Sequence, residues 1–147
     1  MVEVIHSIHF PVSARSFIQP VVEYLNQADI ETTLWFEYQP KHHAVTNQIH
    51  VPKQAVESDL VLNPFTFIQR LSSFRQQLRI AKPRILHTHQ SRASLIPLLA
   101  AYLEQVPVRI YQNHGLPYLG YQGVLRYALR LLEVINIRLA THVLLVS

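Results

Sequence analysis

The sequence predicts an α/β domain built on a doubly wound, mostly parallel sheet of about six strands. Three observations lead to this expectation. Segments with the composition of short strands alternate along the chain with helical segments of ten or more residues, which is the pattern of βαβ units. The chain of 147 residues has the length of one domain. Hydrophobic residues make up 49% of it and charged residues 15%, so we expect a large buried core and exclude disorder.

The first part of the chain is expected to contribute two strands and the helix between them. An apolar run at residues 2–9 has the length of a strand, and a β-branched and aromatic run at residues 31–36 is typical of a second strand. The intervening helix can be capped by Ser13 or Ser16. Pro20 falls early in that helix and predicts a kink or a late start there.

A polar region at residues 38–60 follows, with one candidate strand at residues 48–51. The next helix has a clear start, because Asn63 can cap it and Pro64 occupies its first helical position. Pro83 is expected to end it. Its predicted apolar stripe consists of Ile68, Leu71, Phe74 and Leu78.

The second half of the chain alternates strands with helices more regularly. Strands are predicted at residues 84–89, 106–112 and 141–146. Helices at residues 92–104, capped by Ser91, and at residues 123–139 connect them. In doubly wound folds ligands bind beyond the carboxyl ends of the strands, so functional residues are expected in the segments that follow these strands.

Charge is distributed unevenly between the two parts of the chain. Residues 1–59 carry seven acidic and three basic side chains, a net charge of −4, whereas residues 60–147 carry ten basic and two acidic side chains, a net charge of +8. This asymmetry predicts an anionic partner, which could be nucleic acid, a lipid surface or a phosphorylated substrate. The alternative is a set of solvated basic helix faces.

Several function classes find no support in the sequence. The absence of cysteine excludes disulfides, cysteine-ligated zinc and thiol nucleophiles. The first strand–helix turn, residues 6–16, has no glycine, and no P-loop sequence occurs, which argues against the common NAD, FAD and NTP sites. The sequence shows no signal peptide and no apolar run near the ~18 residues of a membrane span, so we expect a cytoplasmic location.

Two histidines and a polar segment mark the end of the fourth predicted strand. His87 and His89 are two residues apart and therefore share one face, so their imidazoles could jointly ligate a metal, with His114 as a distant third ligand. Alternatively, residues 90–92 form a ligand-contacting edge, since Ser91 and nearby amides at a helix N-terminus can hold an anion. A third interpretation places the two histidines in the core.

A glycine-rich segment follows the fifth predicted strand. Asn113, His114 and Gly115 open it, and every glycine of the chain lies within residues 115–123. Concentrated glycine is typical of a mobile loop or one that a ligand approaches closely, although an ordinary connection remains the alternative. Imidazole can donate to a sugar hydroxyl or take part in proton transfer, which makes His114 the foremost candidate for chemistry. No nucleophile or carboxylate stands near it at the spacing of a hydrolase triad.

The helix predicted at residues 123–139 combines many apolar residues with basic ones. Arg126 and Arg130 are four residues apart and share a face. Such a helix can lie on an anionic membrane surface, or it can pack on the sheet and expose its arginines to water.

Five segments in this order and spacing resemble a known family. They are KPRILHTH at residues 82–89, SRAS at 91–94, VPVRIY at 106–111, HGLPY at 114–118 and RLATHVLLVS at 138–147. Together they are similar to the N-terminal half of GT-B glycosyltransferases of the family 4 type, particularly bacterial enzymes that make capsular, exopolysaccharide or O-antigen chains. A weaker similarity covers residues 2–36, so only about residues 38–60 lie outside the resemblance.

The resemblance implies a Rossmann-like domain over residues 1–147 that forms the acceptor side of a two-domain enzyme. The other domain binds the nucleotide-sugar donor, and transfer is retaining and needs no metal or other cofactor. The acceptor is a growing, lipid-linked polysaccharide, which would place the protein on the inner face of the membrane. The histidine matching His114 reaches toward the donor sugar and is the expected catalytic residue. The expected cleft residues are Ser13, His87, His89, Gln90, Ser91, Arg92, Asn113 and Gly115.

The chain departs from the family pattern in two ways. Its first turn lacks the glycine pair that many members place near the donor phosphates. The C-terminal domain, with its acidic donor-site residues, is absent from this sequence. The chain is therefore expected to be either an excised domain or a stand-alone, membrane-associated acceptor-binding subunit of a split glycosyltransferase. A nucleic-acid-binding domain is a third hypothesis, but the sequence lacks a recognised motif or interleaved basic and aromatic residues, so no nucleic-acid partner is expected.

Overall fold

Six parallel strands form one sheet in the computed structural model of the chain, which describes residues 3–146. In chain order the strands are β1 Val4–Ile8, β2 Thr32–Phe36, β3 Lys53–Ala55, β4 Ile85–His89, β5 Val108–Asn113 and β6 His142–Leu145. Their order across the sheet is β3-β2-β1-β4-β5-β6, so the chain winds outward in both directions from the central pair β1 and β4. This arrangement confirms the predicted doubly wound sheet, and every strand pair in it is parallel.

Helices cover both faces of the sheet. They are α1 Pro11–Ser13, a π-helical turn Ala14–Ile18, α2 Gln19–Gln27, α3 His43–Asn47, α4 Pro64–Ala81, α5 Ser91–Leu103 and α6 Gly123–Leu139, with 3₁₀ turns at Pro40–His42 and Pro117–Gly120. The helix α5 packs between α4 and α6 and also contacts β1, β4 and β5. All these parallel strands must run in one direction, so their carboxyl ends lie at one edge of the sheet.

The core consists of two hydrophobic clusters. One cluster joins Ile5 and Trp35 of the sheet to Phe74 of α4 and Ile96 of α5, and the Trp35 and Phe74 rings meet edge to face at 5.3 Å. The other cluster includes Ile8, Leu34 and Phe36 of the strands and Val22 of α2. All five residues of the central strand β1 are buried, as expected for a strand that is covered on both faces.

Most predicted elements are confirmed to within two residues. The strands expected at residues 31–36, 84–89, 106–112 and 141–146 are β2, β4, β5 and β6. The helix start at Asn63 is confirmed by its side chain, which accepts a hydrogen bond of 3.1 Å from the amide of Thr66. The first predicted strand corresponds to β1, and its residue 2 lies outside the described residues.

The strand predicted at residues 48–51 is wrong. The third strand is Lys53–Ala55, whose three side chains are exposed and carry no apolar signal. The apolar residues Ile49 and Val51 are instead buried in the second core cluster, where they contribute packing and no ladder hydrogen bonds. The pattern therefore identified core residues correctly but assigned them to the wrong local structure.

Two details of the helices differ from expectation, and one agrees with it. The first helix begins at Pro11 after Phe10, and among the described residues neither Ser13 nor Ser16 caps it. The α-helical geometry resumes only at Gln19, beside Pro20, which agrees with a late start. Ile68 of the predicted stripe is 63% exposed, because the helix turns Phe67 toward the core in its place.

The helix α5 begins at Ser91 itself, and the Ser91 side chain does not cap it. The hydroxyl of Ser91 instead donates to the carboxylate of Glu133 on α6. The expected cap was therefore wrong because a long-range partner takes the hydroxyl.

Candidate functional site

A cavity of about 570 Å³ opens at the carboxyl edge of the sheet. Five of the residues predicted to form the cleft or to act in it line this cavity, namely Gln90, Ser91, Arg92, His114 and Gly115. His9 and Asp59, which the sequence analysis did not single out, also line it. These five predicted residues therefore come together around one concave site, in the position where doubly wound folds bind ligands.

The remaining predicted residues lie outside the cavity wall. Ser13 closes the short helix α1 and is half-buried. His87, His89 and Asn113 sit beneath the wall, on strands β4 and β5. Arg126 and Arg130 are exposed on α6.

A cluster of three histidines lies beneath the cavity. His6 of β1 and His87 of β4 are paired in register across the central strands, and His89 shares a face with His87. The rings of His87 and His89 stack with centroids 4.3 Å apart, and Nδ1 of His6 lies 3.2 Å from Nε2 of His89. His6 was missed because only the β1–β4 register, a tertiary feature, brings it to the other two.

Burial keeps these three imidazoles neutral. It lowers the pKa of His6 from 6.5 to about 3 and that of His87 to about 4, and it holds the pKa of His89 further below the ordinary value. The neighbouring histidines add to the effect, because a proton on one ring would repel a proton on the next. The cluster is therefore an uncharged polar element at physiological pH.

The geometry of the cluster bears on the metal hypothesis. His6, and not His114, supplies the third imidazole, and one nitrogen from each of the three rings lies within 4.8 Å of the others. Tetrahedral zinc with bonds of 2.0–2.1 Å would need its ligand nitrogens ~3.3 Å apart. Nδ1 of His6 and Nε2 of His89 are 3.2 Å apart, which is close to this spacing, but in the structure they face each other as hydrogen-bond partners. The cluster could bind a metal only if that hydrogen bond were given up.

His114 stands on the cavity wall and connects to the cluster. It is exposed, and its Nε2 lies 3.4 Å from Nδ1 of His89. Its other ring nitrogen, Nδ1, makes no hydrogen bond to any residue within 3–146. His114 therefore has one nitrogen fixed from below and one free for a ligand.

The loop that carries His114 is held by its neighbours. Oδ1 of Asn113 accepts a hydrogen bond of 2.7 Å from the amide of Gly115. Gly115 has a φ of +129°, which side chains rarely adopt, so a glycine is required at this position. The backbone on both sides of His114 is thereby restrained.

A buried carboxylate secures the same region from α6. Glu133 is 3% exposed and accepts hydrogen bonds from the hydroxyl of Ser91, the hydroxyl of Tyr111 at 2.7 Å and the side-chain amide of Asn113 at 2.9 Å. Asn136, one turn further along, donates to the carbonyl of Ser91 at 2.7 Å. This network joins the ends of β4 and β5 to α6. A single acid within a mostly apolar helix was the signal that could have identified Glu133.

The turn from β4 into α5 has an unusual backbone. Gln90 adopts a φ of +73° and a ψ of 141°, a combination that favours glycine. The hydroxyl of Ser94 donates to the Gln90 carbonyl at 2.6 Å, and the Gln90 amide donates to Gln112 at 3.3 Å. These bonds hold Gln90 in a strained backbone conformation on the cavity wall. Residues in such conformations are often found at functional sites.

Charged side chains surround the mouth of the cavity. Arg92 pairs with Asp59 at 3.1 Å, and Nδ1 of His9 lies 3.1 Å from Glu37. Burial alone would raise the pKa of Glu37, but the hydrogen bonds from His9 and the Asp59 amide, with Arg70 nearby, hold that pKa below its usual value. The mouth thus contains both charge signs at fixed positions.

The exposed surface of α6 is largely apolar. Val124 and Tyr127 are 85% and 71% exposed, and Leu131 is also exposed. Arg126 and Arg130 lie among them. No helix within residues 3–146 is both long and apolar enough to cross a membrane.

Comparison with known proteins relates the fold to solved structures. No family model matches the chain, and no curated protein matches it. Among solved structures, S. aureus MnaA with UDP has a TM-score of 0.70 at 17% identity over 97% of this chain and 37% of that one. MurG of Acinetobacter baumannii has a TM-score of 0.69 at 12% identity, over 97% of this chain and 41% of that one. HepE of Anabaena, in complex with UDP and glucose, has a TM-score of 0.69 at 10% identity, over 97% of this chain and 38% of that one.

These similarities show the fold. The chain has the Rossmann-like architecture that forms one half of GT-B proteins, as the resemblance implied. It spans about two-fifths of the length of the solved structures that it matches.

Proposed function

We propose that this chain is the acceptor-binding half of a retaining glycosyltransferase that uses a nucleotide-diphosphate sugar. The observation that carries the proposal is the cavity at the carboxyl edge, where His114 and the N-terminus of α5 meet within a GT-B half-fold. UDP is named with two of the similar structures, which supports a nucleotide sugar as the donor. The donor itself would be bound chiefly by a second domain.

The chemistry of the cavity suits a sugar hydroxyl as its ligand. Saccharides are recognised by hydrogen bonds from fixed polar groups, and the wall offers an imidazole, an amide side chain and an ion pair. In this proposal His114 acts on the donor sugar from the acceptor side. The proposal includes no metal, and the role given to His114 is to hold and orient the sugar by a hydrogen bond.

We further propose a family 4 type enzyme that extends a lipid-linked capsular, exopolysaccharide or O-antigen chain. Lipid-linked acceptors lie at the membrane, so the protein would be cytoplasmic and peripheral on the inner face. The exposed apolar residues and arginines of α6 support this location, because such a surface can enter the headgroup region of anionic lipid.

The same surface favours a second candidate function. The chain could serve as a separate, membrane-associated acceptor-binding subunit that is active only with a donor-binding partner protein. The two candidates share the cavity and differ in where the donor domain is encoded.

The test is an assay of the protein translated from the complete open reading frame. It is incubated with a panel of nucleotide sugars and lipid-linked acceptors, and transfer is measured alongside residues 1–147 alone. We expect transfer only by the longer protein, or only after a donor-binding partner is added if the second candidate holds. Robust transfer by residues 1–147 alone would contradict both.

A further inference from the structure

Three imidazoles form a continuous hydrogen-bonded chain from the core to the cavity. Nδ1 of His6 faces Nε2 of His89 at 3.2 Å, and Nδ1 of His89 faces Nε2 of His114 at 3.4 Å. The chain passes from β1 through the end of β4 to the loop after β5. Each contact joins two ring nitrogens, so one nitrogen of each pair must donate and the other must accept.

His6, at the buried end of this series of hydrogen bonds, determines the direction in which the imidazoles donate. Nε2 of His6 is buried and has no hydrogen-bond partner within the described residues. His6 is neutral and carries one N–H, because burial lowers its pKa to about 3. An N–H placed at Nε2 would be an orphaned buried donor, which is rarer in proteins than an unpaired acceptor. The proton of His6 is therefore at Nδ1, from which it donates to His89.

The remaining protons follow from this first one. Because Nε2 of His89 accepts, the single proton of neutral His89 must be at Nδ1, and it donates to Nε2 of His114. A neutral His114 then carries its own proton at Nδ1, the nitrogen that has no partner among residues 3–146. The tautomer of the exposed His114 is thus set by Nε2 of His6, a core atom from which it is separated by two hydrogen bonds.

We infer that His6 and His89 are positioning residues that make His114 present an Nδ1–H donor to the cavity. The ligand atom that this donor recognises is an uncharged acceptor oxygen, such as a sugar hydroxyl or ring oxygen. His114 in this state donates a hydrogen bond and does not remove a proton. The use of the donor in catalysis rests on the proposed function, whereas the tautomer itself does not.

Other titratable groups surround the chain without interrupting it. The ring of His87 stacks on that of His89 and has its centroid 4.8 Å from that of His6. Within residues 3–146 its Nε2 is buried without a hydrogen-bond partner, and no hydrogen bond joins His87 to His6 or His89. Asp59 and Arg92 across the cavity are paired with each other. His87 is therefore a matched control, since it is buried in the same cluster and lies outside the hydrogen-bonded chain.

The test is a tautomer measurement by NMR on residues 1–147 with ¹⁵N-labelled histidine. Long-range correlations from the ring carbons to Nδ1 and Nε2 distinguish a protonated nitrogen from an unprotonated one at neutral pH. We expect the Nδ1–H form at His6, His89 and His114. An Nε2–H form at His114 in the unmodified protein would overturn the inference.

Two variants separate a positioning role from a packing role. His89→Phe removes the donor to His114, so the His114 signals should shift to the Nε2–H form that free imidazole favours, whereas His87→Phe should leave them unchanged. An unaltered His114 tautomer in folded His89→Phe would also overturn the inference. If His89→Phe does not fold, the spectrum of the unmodified protein decides alone. Correct tautomers in a protein whose full-length form transfers no sugar would refute the proposed function and leave this inference standing.

Discussion

At the scale of single residues, the buried carboxylate of Glu133 is the main support of the loop that carries His114. Three uncharged donors surround it, namely the side chains of Ser91, Tyr111 and Asn113. Burying a polar group is unfavourable unless hydrogen bonds replace its water, and these three donors supply that replacement. The same bonds tie Asn113, and through it Gly115, to a helix on the outside of the sheet.

Glu133→Ala should destabilise the protein by about 2 kcal/mol or more. The change leaves the buried donors of Ser91 and Asn113 without an acceptor, whereas Tyr111 can still donate to Oγ of Ser91 at 3.1 Å. Each unpaired buried group costs about 1–3 kcal/mol. Glu133→Gln keeps one acceptor oxygen and should have a smaller effect. Urea denaturation measures both, with the exposed Glu23→Ala as the control. An effect no larger than that of the control would contradict the role of the network.

The neutral histidines make stability depend on pH in a defined window. The pKa values of His6 and His87 are lowered from 6.5 to about 3 and 4, so the unfolded chain binds protons that the folded one excludes. Stability is then complete above pH 6.5 and declines as the pH falls below it. Between pH 6.5 and 4.5 the histidines dominate, because the stabilising contribution of Glu37 is lost only below its usual pKa of 4.5.

The measurement is the urea midpoint at pH 7.5 and at pH 5. We expect a lower midpoint at pH 5, and His6→Phe should reduce the difference between the two midpoints. The exposed His50→Gln should leave that difference unchanged. An equal difference in all three proteins would show that His6 is not buried in its neutral form.

At the scale of elements, the turns at the carboxyl edge are specified by their backbone conformations. Gly115→Ala should destabilise the protein by about 1–3 kcal/mol, the cost of a side chain in a sparsely populated conformation. Open space surrounds the position of the new Cβ, so conformational strain is the cause of the expected effect. Gly120→Ala is the matched control, because it also has open space but no positive φ. Equal thermal stabilities of the two variants would remove the conformational argument.

The helix α6 should bind anionic membranes through its exposed face. Vesicle binding should require anionic lipid and should weaken with salt. The Debye length falls to ~8 Å at physiological ionic strength, so salt screens the attraction between the arginines and the lipid headgroups. Changing both Arg126 and Arg130 to Glu should reduce it strongly. The same change at Arg15 and Lys41, exposed on the other half of the chain, alters net charge equally and should have a smaller effect. Cosedimentation that is independent of salt, or absent, would remove the membrane from the proposal.

At the scale of the whole molecule, the sequence predicted the sheet better than it predicted the site. Alternating strands and helices indicated a doubly wound fold, because parallel strands need a crossover helix between them. The strand Lys53–Ala55 escaped detection, since three exposed residues carry no apolar pattern. The position of His114 at the edge of the sheet could be predicted, because it directly follows a predicted strand. Its connection to His6 could not be predicted, because the pairing of β1 with β4 joins residues that are distant in sequence.

The kinetics of His114→Ala in the full-length protein test whether His114 serves sugar transfer. A hydrogen bond that reaches its full strength only in the transition state affects kcat more than KM. We expect kcat to fall by ~10²–10³, the usual cost of losing such a contact, when it is measured well below the melting temperature. The melting temperature itself should fall modestly, because Nδ1–H of His89 loses its acceptor. The exposed His50→Ala should match the unmodified protein in both. A His114→Ala enzyme with normal kcat, or one that has lost only stability, would contradict the claim.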